Sequence, residues 1–266
     1  MRHEVAALLG VTMHTMLALN RLVKAFGGHR AVDGLTCAIP AGRITGVIGP
    51  NGAGKTTLFN LVAGAMKPTS GEILFEGRPI GGRRADQVFR AGIGRTFQIP
   101  RPFPAMTVLE NVMLAPPAQA GESFWRNWLR PGQVRAQERA VREQALHWLD
   151  FVGLAGLAQQ PARVLSGGQR KLLELARVMV AQPRLVLLDE PGAGVNPALL
   201  DVIVDRIAAL HRQGTSFLVI EHNMDLVASL CDPVLVMAQG RLLAQGRAGE
   251  VLRDARVVEA YLGEGA

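Results

Sequence analysis

One segment, from Arg43 to Gly64, constrains this chain more than any other: it reads ITGVIG, then PNGAGKTT, then LFNLVAG. The first piece is a short apolar run and the second is dominated by glycine. The third spaces Leu58, Leu61 and Val62 along one helical face before Gly64 offers a stop. A buried strand that turns into a helix through glycines leaves the first helical N–H groups pointing at whatever fills the loop. Gly49, Pro50, Asn51, Gly52, Ala53, Gly54, Lys55 and Thr56 match the GxxxxGK[ST] spacing, in which successive backbone N–H groups surround phosphate oxygens. Lys55 would reach the outer phosphates and the Thr56 hydroxyl would hold Mg²⁺, with Thr57 counted among the binding residues. A glycine-rich turn without a ligand is the plain alternative, and the flanking strand and helix argue against it.

Composition narrows the classes. With 48% hydrophobic and 19% charged residues, 30 Gly and 15 Pro, the chain has the profile of a globular protein. No apolar run approaches the roughly 18 residues of a spanning helix, so any membrane role is expected to go through a partner. The net charge of +7 suits an anionic ligand, but the arginines are scattered and only Lys24, Lys55, Lys67 and Lys171 are lysines. No nucleic-acid partner is expected on that pattern. Cys37 and Cys231 are far apart and in no ligand-like setting, so reduced, core-filling thiols are expected rather than a disulfide or a zinc site. Residues 1–16 read as a loose, disordered extension, with Met13 or Met16 as alternative starts.

Further along, GEILFEGRPI at 71–80 reads as a hairpin. The stretch 95–172 changes character. Prolines break its first half, and a polar helix with the stripe Val141, Ala145, Trp148 and Val152 fills its second. Trp125 and Trp128 there are either an exposed contact or core. A strongly periodic helix begins at Gln169 and leads into LVLLDE, a continuous apolar run of the buried parallel type. Asn196 and Pro197 open a helix that runs to Gly214, TSFLVIEH is a further buried strand, 233–246 is a hairpin turning at Gln239 and Gly240, and an Arg-rich helix closes the chain. Strands alternating with helices imply an α/β fold with a mainly parallel sheet.

Two other constellations carry chemistry. Asp189 and Glu190 end the LVLLDE strand, and the carboxyl end of a buried parallel strand beside a phosphate loop is where open α/β sheets bind ligands. Asp189 would support Mg²⁺, and Glu190 would polarise an attacking water. Ser166, Gly167, Gly168 and Gln169 precede the periodic helix and make either an anion-ready N-terminus or an ordinary cap.

The phosphate loop, Gln98 in TFQ, LSGGQ at 165–169, LVLLDEP at 185–191 and His222 occur in the order found in ATP-binding cassette ATPases, which the chain resembles over residues 17–263. The resemblance implies a P-loop core with an antiparallel β subdomain (17–94), an inserted helical subdomain (95–172) and a returning core (173–266). It also implies that two cassettes sandwich two ATP molecules, with Ser166, Gly167, Gly168 and Gln169 meeting nucleotide held by the partner's phosphate loop. On the same basis Gln98 senses Mg²⁺ and the attacking water, His222 is the γ-phosphate switch, and Phe26 stacks on adenine. Asn196 stands where many cassettes carry Asp, so its role as a helix cap is the safer account.

Within that family, FGGHRAVDGL, GIGRTFQIPRPFPAMTVLENVMLA, GGQRKLLELARVMVAQPRLVLLDEPGAGVNP and EAYLGE resemble the ATP-binding subunit of branched-chain amino acid importers. That implies a second ATPase subunit, as heteromer or homodimer, two membrane-spanning permeases that would dock near Phe103 and Met106, and a periplasmic binding protein. The chain would sit at the cytoplasmic face of the inner membrane. A urea or amide importer, a lipopolysaccharide exporter and a soluble cassette of translation or DNA repair are the alternatives.

Overall fold

The computed structural model describes residues 14–96, 102–116 and 131–262. Its contacts form two compact units, residues 1–95, 184–191 and 208–266 in the first, 96–183 and 192–207 in the second.

The first unit holds two sheets. Strands β1 (Thr15–Phe26), β2 (His29–Pro40), β4 (Ser70–Phe75) and β5 (Arg78–Pro79) form an antiparallel sheet in the order β2-β1-β4-β5. The other sheet runs β10-β9-β3-β8-β7-β6. Its strands β3 (Ile44–Ile48), β6 (Ile93–Arg95), β7 (Leu185–Asp189), β8 (Ser216–Ile220) and β9 (Val234–Ala238) are mutually parallel, and β10 (Arg241–Gly246) is an antiparallel edge. Every residue of β3, β7 and β8 is buried, as continuous apolar strands covered on both faces must be. By contrast, β2 alternates, burying Val32, Leu35, Cys37 and Ile39.

These sheets share one core around Leu19, Leu22, Phe59, Leu61, Leu187 and Leu218, with helix α1 (Lys55–Val62) contributing Phe59 and Leu61. Gly46 of β3 leaves room for a neighbour: a Cβ there would lie 3.2 Å from Cys231 Sγ. Both cysteines are free and buried, and burial pushes each thiol up to about 12. They are the free, core-filling thiols expected, and their raised pKa leaves little thiolate at neutral pH.

Turn chemistry matches the sequence at the β9–β10 hairpin, where Gln239 and Gly240 both take left-handed backbone (φ 49° and 77°), the pairing a two-residue hairpin loop favours. Two expectations shift. Strand β1 starts at Thr15, so the last residues assigned to a loose extension are already in the sheet, with Met16 buried and its carbonyl accepting from Glu76 N–H at 2.8 Å. The closing helix is two helices, α8 (Ala248–Val251) and α9 (Ala255–Leu262). Asp254 separates them: its carboxylate accepts the Arg256 backbone N–H at 2.9 Å and the Arg256 guanidinium at 2.7 Å, restarting the helix. Helix α2 (Ala85–Arg90) precedes β6, and α7 (Met224–Leu230) follows β8, capped by Asn223.

The second unit is helical. Helices α3 (Val108–Met113), α4 (Pro131–Phe151) and α5 (Gly167–Met179) pack on one another, and α6 (Pro197–Arg212) begins there. Val141, Ala145 and Trp148 of α4 are buried, as is Val152 just past its end, so the stripe is the packing face of this helix. Trp125 and Trp128 lie outside the described residues. Helix α6 starts as its sequence suggests, with Asn196 Oδ1 accepting from Leu199 N–H at 2.9 Å. Among the described residues no helix is long and apolar enough to cross a membrane.

One polar side chain organises the start of this unit. Asn111, fully buried on α3, accepts from Phe103 N–H at 2.8 Å and donates to the carbonyls of Phe103 at 3.1 Å and Thr107 at 2.9 Å. Truncating it would take the acceptor from Phe103 N–H and remove two of the bonds that hold this turn, although the Phe103 and Thr107 carbonyls keep backbone donors in Met106 N–H at 3.2 Å and Asn111 N–H at 3.0 Å. Asn111→Ala is expected to lower unfolding free energy by about 2 kcal/mol, read by urea denaturation, whereas Glu110→Ala at the exposed cap costs about 1 kcal/mol or less.

Candidate nucleotide-binding and hydrolysis site

The phosphate loop is shaped by what two glycines lack. Gly49 leaves β3 with φ 147°, and a Cβ there would sit 2.0 Å from the Met237 carbonyl oxygen of β9. Gly54 has φ 98°, and its Cβ would sit 2.2 Å from the Ala31 carbonyl oxygen of β2. Both positions exclude any side chain, because the obstructing atoms are backbone. Gly54 is also the N-cap of α1 and offers no side-chain acceptor, so the first N–H groups of the helix face the loop. Lys55 is buried, and its Nζ donates to the carbonyls of Gly49 at 2.5 Å and Pro50 at 2.8 Å. The ammonium is thus held inside the loop. Ala53 is buried, Asn51, Gly52 and Thr56 are exposed, and Pro50 and Thr57 are half-buried.

At the carboxyl ends of β7 and β8 three candidate residues meet. Asp189 is buried as the last residue of β7, and its Oδ2 accepts from Arg95 at 3.2 Å. Arg95 ends β6 and also donates to Asn60 Oδ1 of α1 at 2.6 Å, while its buried Nε has no hydrogen-bond partner. Glu190 follows in left-handed backbone (φ 50°), pinned by its N–H to the Ile220 carbonyl at 3.0 Å. That conformation is uncommon for a residue with a Cβ and stores about 1 kcal/mol or more. It turns the carboxylate towards His222, whose Nε2 lies 3.1 Å from Glu190 Oε1. With 44% of its side chain exposed, His222 is no packed core histidine.

Burial pushes the Asp189 carboxyl above its usual range, more than the Arg95 guanidinium pulls it down, and the adjacent Glu190 adds to the rise. A Thr hydroxyl and a buried carboxylate are hard oxygen donors that suit Mg²⁺, an ion that completes its shell with water and substrate phosphates. Among the described residues no group of three or more His, Cys, Asp or Glu could hold a metal.

Phe26 ends β1 opposite His29 in the hairpin, 48% exposed, with the Lys24 ammonium 5.0 Å from its ring centroid. It presents an open aromatic face rather than a core contact. In the second unit, Ser166 caps α5 in a reciprocal box: its Oγ accepts from Gln169 N–H at 3.3 Å, and its own N–H donates to Gln169 Oε1 at 2.9 Å. Gly167 is exposed, whereas a Cβ on Gly168 would lie 2.0 Å from Leu199 Cδ2. Gln98 lies outside the described residues. The residue that sequence reasoning missed is Arg95. Its one signal was a lone charge inside GRTFQ, at the end of an otherwise apolar strand.

The loop, the strand-end carboxylates and the capped glycines form a set that can be compared with known proteins. A model described as "ABC transporter" matches residues 32–193. The chain belongs to the ABC transporter family. A second model, "Branched-chain amino acid ATP-binding cassette transporter", matches residues 241–266 of this cassette. A probable branched-chain amino acid transport ATP-binding protein, LivG of Archaeoglobus fulgidus, is 41% identical over 93% of this chain and 95% of its own. The high-affinity branched-chain amino acid transport ATP-binding protein BraF of Pseudomonas aeruginosa is 39% identical over 94% and 98%. Among solved structures, a nucleotide-free ATP-binding cassette from an ABC transporter superposes with TM-score 0.81 at 37% identity, covering 92% of this chain and 98% of that one. Another cassette, in its ADP conformation, gives 0.79 at 36% identity over 94% and 99%.

The raised Asp189 pKa fixes a sign for this cassette. A carboxyl whose folded pKa exceeds its unfolded value contributes fully below the unfolded value, and that contribution is lost as pH rises through the folded pKa. Asn at 189 does not ionise. Denaturation of Asp189→Asn and the parent from pH 3 to 7 should therefore show the variant gaining relative stability as pH rises from the ordinary carboxylate range, roughly pH 4, towards neutrality. A constant difference would contradict the burial argument.

Proposed function

We propose that this cassette is the ATP-binding and ATP-hydrolysing subunit of an ABC importer that powers uptake of branched-chain amino acids through partner permeases. The observation that carries the catalytic part is the Glu190–His222 contact at 3.1 Å, set one residue beyond Asp189 at the mouth of the parallel sheet. The substrate class draws its support from the second family model and from the names of the relatives. Both favour this substrate class over urea or amide import and over lipopolysaccharide export.

In this reading the N–H groups from Asn51 to Thr57 and the Lys55 ammonium bind the β- and γ-phosphates. Lys55 exchanges its two loop carbonyls for phosphate oxygens. Phe26 stacks on the base. Thr56 and Asp189, with Gln98, would hold Mg²⁺, which would supply neutralisation of charge on the phosphate oxygens. Glu190 orients a water in line with the γ-phosphorus and accepts its proton, as the new P–O bond forms and the bond to the β–γ bridging oxygen breaks. His222 fixes the carboxylate that does this and contacts the γ-phosphate. Ser166, Gly167, Gly168 and Gln169 serve nucleotide held by a second cassette, which makes turnover dependent on dimer formation. The pair is a heteromer or a homodimer, working at the cytoplasmic face of the membrane beneath two permeases, with a periplasmic binding protein on the far side.

Glu190→Gln keeps size and hydrogen bonding but cannot accept the proton. It is expected to lower phosphate release by roughly 10²-fold or more while retaining ATP and shifting gel-filtration profiles towards a dimer. Turnover near that of the parent would overturn the assignment. Affinity purification of the tagged chain from detergent-solubilised host membranes tests transport: two polytopic permeases should copurify, and their absence would remove the importer reading while leaving the ATPase intact.

A further inference from the structure

Asp33 of β2 occupies a junction that no step above uses. Its Oδ1 accepts from Arg30 at 2.9 Å, and its Oδ2 accepts from Arg241 Nε at 2.9 Å and from a terminal nitrogen of the same guanidinium at 2.5 Å. Its backbone N–H donates to the Gly240 carbonyl at 2.9 Å, and Gly240 N–H donates to the Ala53 carbonyl of the phosphate loop at 3.1 Å. Ala31, two residues before Asp33, supplies the carbonyl that stands against Gly54 and lies 3.0 Å from where a Gly240 Cβ would be. Three pieces therefore converge: the hairpin that carries Phe26, the phosphate loop, and the β9–β10 turn. The backbone bonds set distances along this contact. Across the contact, the Asp33 carboxylate ties the hairpin to β10 through charged side chains, Arg30 on its own strand and Arg241 on β10.

An exposed ion pair alone contributes little. Here one carboxylate, 16% exposed, is shared by two guanidiniums, Arg30 on Oδ1 and two nitrogens of Arg241 on Oδ2, so both oxygens carry charge-assisted hydrogen bonds. The Arg30 and Arg241 hydrogen bonds hold the carboxyl below its usual range, so it stays ionised at physiological pH.

We infer that Asp33 is a positioning residue for nucleotide: it holds the Phe26 hairpin against the phosphate loop so that the aromatic and phosphate grips act as a single site. The inference rests on the nucleotide reading above. It assigns Asp33 no contact with nucleotide. Losing it should weaken recognition of the base and leave recognition of phosphate alone.

The test uses the purified full chain, with ATP and inorganic tripolyphosphate as probes in titration calorimetry and with thermal midpoints measured alongside. Asp33→Ala and Arg241→Met should each weaken ATP binding roughly three- to tenfold. Tripolyphosphate affinity should be unchanged. The Asp33→Ala/Phe26→Ala double variant should bind ATP no more weakly than Phe26→Ala, since the base grip can be lost only once. Arg241 is largely exposed, so its variant keeps the test open if Asp33→Ala folds poorly. Unaltered ATP affinity in both single variants, equal losses for the two probes, or losses additive with Phe26→Ala would each overturn the inference. A parent chain that binds no ATP would instead remove the nucleotide reading beneath it.

Discussion

Two backbone carbonyls, those of Met237 and Ala31, press against the α-carbons of Gly49 and Gly54, and the remainder of the site depends on that close approach. Met237 belongs to β9 and Ala31 to β2, so the phosphate loop is gripped by both sheets of the first unit. A Cβ at either glycine would push the loop away from one of them and turn the N–H groups of α1 off their common centre. The buried β3 and β9 and the hairpin strand β2 are accordingly the frame against which this loop is packed.

The same frame explains the charges. Strands β6, β7 and β8 lie side by side, and their carboxyl ends deliver Arg95, Asp189 with Glu190, and His222 to one edge. Burial makes the charged form of Asp189 costly, and Arg95 offsets only part of that cost. A divalent cation, if held there as proposed, would supply a second, stronger source of compensation. Lys55, meanwhile, donates to the carbonyls of Gly49 and Pro50, which holds its ammonium inside the loop.

Much of this was legible beforehand because it depends on local pattern. The continuous apolar runs of β3, β7 and β8, the caps at Ser166 and Asn196, and the turn at Gln239 and Gly240 each follow from residues a few positions apart. What escaped depends on the third dimension. Arg95 matters because β6 lies beside β7, and Asp33 because β2 lies beside the β9–β10 turn; neither adjacency leaves a periodic trace. The break between α8 and α9 was missed for another reason. Asp254 inside a helical pattern looks like one more polar residue until its side chain caps the next turn. The second unit was read correctly where periodicity was strong, as on α4. Its buried Asn111 could not be told from a surface asparagine by sequence alone.

The left-handed backbone of Glu190 has a wider consequence. Glycine would occupy that conformation without steric cost, and asparagine with less than glutamate, so the backbone at this position, taken without the His222 contact, favours replacing the one carboxylate proposed to activate water. Selection for heat resistance alone would therefore drift this position towards an inactive cassette, and a stabilisation campaign has to hold residue 190 fixed while it searches elsewhere.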